Sequence, residues 1–210
     1  RMALATILHD TEGRLVSPLR AARSAFRQHF AGMAVSLTQT TDARVAQVLE
    51  DELGASVAFH PTGEAIIGRA RRNAVRLALD VDGDRIVYSD IDHILRWMTV
   101  DPVEMGACLA SCPEAQLLIV GRTRQAMEQV PRRLRETEIP VNTAYELMTG
   151  RQADLLFAIR RMDRNVAEDV VAKSGVDSIA NDVEWPLLAE QLGYRIGYAE
   201  AHGLSYRTID

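Results

Sequence analysis

Short apolar runs alternate with amphipathic segments through the first half of the chain, the rhythm of strands joined by helices. Ala3 to Leu8 reads as a first strand ending at His9-Asp10. Pro18 stands in the first turn of a helix reaching Phe30, with Leu19, Ala22, Ala25 and Phe26 as its apolar stripe. Met33 to Leu37 is a second strand, and Asp42 reads as the N-cap of a helix running to Leu53 and stopping at Gly54. Ser56 to Phe59, a helix from Ile67 to Leu79, the turn DVDGD and a fourth strand from Arg85 to Ser89 complete this half.

Parallel strands joined by helices must be covered on both faces, so the order predicts an α/β fold: a three-layer α/β/α sandwich around a mostly parallel sheet. Ligands of such sheets bind beyond the carboxyl ends of the strands. That points to His9-Asp10, Thr38 to Asp42, His60 to Gly63 and Asp90-Ile91-Asp92. The second half is less regular. Its pattern predicts helix over Leu95 to Cys112, a strand Gln116 to Val120, a charged helix Arg124 to Glu136 interrupted by Pro131, and a short helix Asn142 to Met148. A strand Asp154 to Ile159, helices Asn165 to Ser174 and Asp182 to Leu192, and a last strand Tyr194 to Tyr198 follow. With no repeat and no low-complexity linker, one domain over residues 1–210 is the simplest account.

Composition fits a soluble globular chain, 47% apolar and 25% charged with a formal net charge of -5. No apolar run approaches the roughly 18 residues of a membrane helix, and RMALATILHD lacks the basic-then-apolar order of a signal peptide, so a cytoplasmic protein is expected. Of 24 basic residues only Lys173 is a lysine, without the glycine-rich turn of a P-loop before it. The arginines are interleaved with 29 acids, which argues against a nucleic-acid surface. Cys108 and Cys112, spaced to share a helix face, read as a reduced, buried pair. Asp80 to Asp84 imitates a calcium loop but lacks its glycine and glutamate positions, and reads as a turn.

The most informative segment is RIVYSDIDHILRW, an apolar strand whose end carries Asp90 and Asp92. Two neighbouring carboxylates stay ionised together only if a cation or strong donors offset their charge. Mg²⁺ or Mn²⁺ does this, since it prefers carboxylate oxygens and keeps positions free for water and substrate phosphate. A solvated acidic turn is the plain alternative. On the helix after Gly68, residues Arg69, Arg72, Asn73 and Arg76 share one face, opposite Ala70, Ala74 and Leu77.

In order, GRARRNAVRLAL, DGDRIVYSDIDHI, LLFAIRRMDR and NDVEWPLLAEQLGYRIGYAEAH resemble the nucleotide-sugar-dependent glycosyltransferases of the GT-A fold, particularly family 2 and its relatives. The resemblance covers most of the chain. It implies a GT-A domain with a nucleotide-binding half of about residues 1–97 and an acceptor half of about 98–210. It also implies a divalent cation, a nucleoside-diphosphate-sugar donor and a hydroxyl-bearing acceptor, small and cytosolic rather than lipid. Nothing in it requires a membrane span or nucleic acid, and a homodimer is compatible with it.

By that resemblance Asp92 binds the cation directly, and Asp90 approaches the ribose, or the metal through water. His202 stands where many such enzymes take a further metal ligand. Asp182 matches the acid that accepts the acceptor's proton in inverting members; in a retaining enzyme it would support the sugar instead, and a plain helix cap is the structural alternative. Asn181 replaces the first acid of the usual pair, and Glu184 takes its second acidic position. Arg72 and Asn73 match residues that hold the nucleotide or the D-x-D loop. The acidic turn expected after the second strand is replaced by LTQTTD, which leaves uridine and guanosine donors both open and makes Thr38, Thr40, Asp42, His9 and Asp10 the candidates for base or ribose contacts. His93 and Trp97, four apart, are candidates for the sugar pocket, Trp97 being equally suited to the core. Two alternatives stand beside this reading. One is a degenerate nucleotide-sugar-binding protein without turnover. The other is a haloacid-dehalogenase-like phosphatase, which carries D-x-D on its first strand, whereas three strands precede it here.

Overall fold

The computed structural model describes residues 1–204; residues 205–210 of the expected domain lie outside it. The seven strands of its sheet are β1 (Met2–Leu8), β2 (Phe30–Thr38), β3 (Ser56–His60), β4 (Arg85–Tyr88), β5 (Leu117–Arg122), β6 (Ile159–Asp163) and β7 (Ile196–Ala201). They lie in the order β3-β2-β1-β4-β6-β5-β7. Only β6 runs against its neighbours, pairing antiparallel with both β4 and β5.

On one sheet face Leu4, Val35, Leu37, Val87 and Val120 pack with α1 (Val16–His29), α4 (Ile91–Val100) and α5 (Pro102–Ala110). On the other, β1 and β2 present small residues, Ala3, Ala5 and Ala34, to Ala74 and Ala78 of α3 (Ile67–Ala78), while Ile86 and Tyr88 of β4 supply bulk beside them. The missing bulk lets α3 lie close on β1 and β2, while α8 (Arg164–Lys173) and α9 (Asn181–Gln191) cover the rest of that face. The three-layer sandwich with a mostly parallel sheet is therefore the observed architecture.

Asp42 does cap α2 (Ala43–Gln47), its carboxylate accepting from the Arg44 amide, and a single π turn (Val48–Glu52) carries the helix on toward Gly54 in left-handed backbone. The second half departs from expectation in five places. The helix over 95–112 is two, α4 beginning just after Asp90, and Asp101-Pro102 stopping it and starting α5: Asp101 accepts from the Glu104 amide and Pro102 needs no amide partner there. Cys112 consequently lies beyond the helix, half-buried with φ 46°, while Cys108 is buried, its thiol pushed up to about 12 mainly by burial; both are free thiols. The expected helices over 124–136 and 142–148 are instead a short α6 (Arg124–Glu128) and one long α7 (Arg132–Thr149) running through Pro140. No strand forms at 154–158. Leu155 and Phe157 are buried as irregular chain, and the strand follows as β6, whose Arg160 and Arg161 are buried. The last strand likewise begins two residues late, at Ile196.

Arg160 and Arg161 can sit in a buried strand because each guanidinium satisfies backbone carbonyls. Arg161 donates to the carbonyls of Leu109, Ser111, Cys112 and Ala115, tying α5 and its exit to the sheet. Arg160 donates to those of Leu155, Ile159 and Asp182, fixing the lead-in to β6 against α9. Among the described residues no helix is long and apolar enough to cross a membrane.

Candidate active site at the carboxyl ends of the strands

A cleft of about 650 Å³ opens where β1, β2, β3 and β4 end, the place the parallel order predicts. Its wall takes His9 and Asp10 from the end of β1, Thr38 from β2, His60, Thr62 and Gly63 from β3, and Asp90, Ile91 and Asp92 from β4. Arg14, Glu64 and Ile67 close its sides.

The two aspartates of the D-x-D diverge. Asp90 is the residue before α4 and turns its carboxylate inward: Oδ2 accepts from Nη2 of Arg71 at 2.8 Å and Oδ1 from the Tyr88 hydroxyl. Burial raises this carboxyl, but the Arg71 guanidinium outweighs it and holds Asp90 below the ordinary carboxylate range. Asp92 lies in the first turn of α4 with its side chain 52% exposed to the cleft, and among the described residues its one ionisable partner is the His93 ring at 3.8 Å. A helix N-terminus favours such a negative charge.

Arg71 is the centre of the buried network behind the cleft. It is 2% exposed, stands over the Tyr88 ring at 5.7 Å, and spreads its fork between two elements: Nη2 to Asp90, and Nη1 to Asp182 Oδ1 at 2.7 Å and Asn181 Oδ1 at 3.1 Å. Asp182 is thus not a cap; it is the second residue of α9, 5% exposed, and burial pushes its carboxyl up against the pull of Arg71 and Arg160. Arg71 Nε, Asn181 Nδ2 and Asp182 Oδ2 are buried with no protein partner, the pattern that enclosed water satisfies.

The other residues singled out from the sequence are distributed differently. Asp10 lines the cleft, but its two oxygens accept from the Glu12 and Leu15 amides and shape the turn before α1. Asp42 sits outside the lining, bound to Arg44, which holds its carboxyl down at about 2. Thr38 does face the cleft, its hydroxyl between His9 Nδ1 at 2.7 Å and Thr41 at 2.9 Å. Arg72 and Asn73 do not line it: Arg72 grips the Val176 carbonyl and Asp177, and Asn73 accepts from Arg76. Glu184 accepts from the Gly175 and Val176 amides and the Ser174 hydroxyl, organising that same loop. His202 is held by Thr123 at 3.2 Å and, through its amide, by Glu104. Trp97 is core, fully buried with its indole N–H on Glu104. Among the described residues no group of three or more histidine, cysteine, aspartate or glutamate side chains is placed to hold a metal.

Sequence reasoning missed Arg71, because it stands among alanines and valine on the buried stripe of α3 while attention falls on the solvated arginine face. It also missed a stack built on His93, the residue after Asp92. His93 lies face to face with Phe157, ring centroids 4.0 Å apart and 12° from parallel, and the Arg122 guanidinium covers Phe157 at 4.9 Å. Arg122 is itself buried and bound to Asp154 and Glu138, so β5, α7 and the 154–158 segment hold that stack together.

The donor set suits a cation that arrives with phosphate better than a preformed cage. Asp90 is fully committed to protein partners, whereas Asp92 is an open carboxylate on the cleft wall, and Mg²⁺-like ions are commonly held by one or two carboxylates plus substrate phosphates.

No family model and no curated protein matches the chain. Solved structures do. Glucosyl-3-phosphoglycerate synthase from Mycobacterium tuberculosis is 17% identical over 100% of this chain and 72% of its own, with a TM-score of 0.58. Its complex with uridine diphosphate gives 16% identity, the same coverage and a TM-score of 0.59. Its complex with Mn²⁺, UDP-glucose and phosphoglyceric acid gives 16% identity over 99% of this chain and 70% of that one, with a TM-score of 0.57. At such identity the likeness is one of architecture, and with the strand order and the cleft described above it establishes that this chain has the GT-A type of α/β fold.

Proposed function

We propose that the protein is a metal-dependent glycosyltransferase, moving a sugar from a nucleoside-diphosphate-sugar to the hydroxyl of a small acceptor. The observation that carries this reading is the outward carboxylate of Asp92 on the wall of a cleft formed by four strand ends, with its neighbour Asp90 locked inward. The similar structures holding Mn²⁺ with uridine diphosphate or UDP-glucose support it. On this reading Asp92 holds a divalent cation, whose chemistry is to neutralise the charge that grows on the diphosphate as the sugar leaves.

The chain's own residues do the rest. Arg71, anchored by Asp182, keeps Asp90 and hence the start of α4 in one position, so Asp92 needs no reorganisation to meet its ligand. We read residues 1–97 as the donor side and 98–210 as the acceptor side, with the 154–158 segment at their junction. Asp182, enclosed and bound to Arg71, acts as a positioning residue and not as the acceptor's base.

The test is thermal melting with a panel of UDP- and GDP-sugars, with and without Mn²⁺, on the wild type and Asp92→Ala. At least one donor is expected to raise the melting temperature only when Mn²⁺ is present, and the rise is expected to vanish in the variant. Stabilisation that ignores the metal, or is equal in both proteins, would overturn the reading.

A further inference from the structure

The cleft wall carries the open carboxylate of Asp92 and, on its side, the exposed Glu64, and a cation held through a substrate diphosphate is better positioned by a second protein donor beside Asp92. The D-x-D does not supply it, since both oxygens of Asp90 are taken by Arg71 and Tyr88. His202 is joined to Thr123 and Glu104 rather than to Asp92. Beside Asp92 stands His93, whose Nε2 lies 3.8 Å from Asp92 Oδ2.

Three features prepare that nitrogen. Its partner atom Nδ1 faces the Phe157 carbonyl at 3.2 Å, and a carbonyl can only accept, so Nδ1 donates there and Nε2 is the ring nitrogen left facing Asp92. A metal-bound histidine characteristically donates its other N–H in this way, often to a backbone carbonyl. The ring plane is fixed by the 4.0 Å stack on Phe157, which Arg122 covers at 4.9 Å. Finally the span is close: neighbouring ligands of an octahedral cation at about 2.1 Å lie about 3.0 Å apart, and a small turn of the exposed Asp92 side chain closes the 3.8 Å gap to that distance.

We propose that His93 Nε2 is the second protein ligand of the divalent cation, paired with Asp92 Oδ2; the assignment rests on the donor-binding reading above. It ties the metal to Phe157, and through it to the acceptor side of the molecule.

The experiment is electron spin-echo spectroscopy of Mn²⁺ bound to the full chain at pH 8, with Mn²⁺ alone and with Mn²⁺ plus UDP or GDP, alongside Mn²⁺ titrations. The wild type is expected to show nitrogen coupling to the metal that changes when histidine is labelled with ¹⁵N, a readout that needs no substitution. In His93→Gln the coupling should vanish and the Mn²⁺ affinity should fall about tenfold or more. In His202→Gln the coupling should persist. Mn²⁺ bound by Asp92 without histidine nitrogen coupling would overturn the assignment while leaving the donor reading standing, as would coupling lost in His202→Gln and kept in His93→Gln. A wild type that binds no Mn²⁺ under any of these conditions would overturn both.

Discussion

At the scale of single residues, the decisive group is Arg71, a cation on a stripe where its helix otherwise presents Ala70, Ala74, Val75 and Ala78. Burying it is tolerable because two carboxylates and an amide oxygen accept from both its terminal nitrogens, leaving only Nε without a protein partner. Removing the guanidinium leaves Asp182 and Asp90 without their counter-ion, and loss of one partner from a buried pair costs about 3–5 kcal/mol. Arg71→Met is therefore expected to lower the unfolding free energy by an amount in that range, measured by urea denaturation. Arg71→Met combined with Asp182→Asn should recover part of the loss; additive losses in the double variant would show that the pair is not coupled. Hydropathy could not have found this residue, because a charged side chain on an apolar stripe looks like an error in the helical register until Asn181 and Asp182, over a hundred positions away in sequence, are brought beside it. The outward acid of the site was legible, since Asp92 follows directly from a strand end; the inward turn of Asp90 was not, because it depends on Arg71.

At the scale of elements, α3 is held at its start by more than its own turns. A Cβ at Gly68 would lie 2.5 Å from the Val176 carbonyl oxygen and 2.6 Å from that of Ser178, both backbone atoms that cannot swing aside. Arg72 and Glu184 grip the same 174–178 segment from either side. Gly68→Ala should therefore push the helix from its seat, at a cost of about 1–3 kcal/mol, seen as a lower denaturation midpoint; an unchanged midpoint would show that the loop yields freely. The first-half elements were readable because parallel, doubly covered strands are plain apolar runs bounded by caps and glycines. The second half was not. The run from Leu155 looks like strand but is buried loop, and the true strand hides behind Arg160 and Arg161, whose carbonyl contacts exist only after folding. α7 likewise spans the stretch between the two helices expected there, continuing on both sides of Pro140 although that residue has no amide to give.

At the scale of the molecule, stability should be graded across the sheet. Leu4 of β1 and Val87 of β4 are fully buried at its centre, whereas β3 is an edge strand and Tyr145 is the one buried residue of α7. Hydrogen exchange is expected to release β1 and β4 amides only through global unfolding, with β3 and α7 exchanging earlier by local opening; α7 protected as strongly as β1 would refute this grading. The reversal of β6 has a separate consequence. Because that strand runs the other way, the segment leading into it, not the one leaving it, arrives beside Asp90 and His93. The chain entering one strand therefore meets the chain leaving the other, and Phe157 and His93 come face to face although they flank opposite ends of their strands. Exchanging the Phe157 side chain alters that contact while the aspartates stay on their own strand's exit.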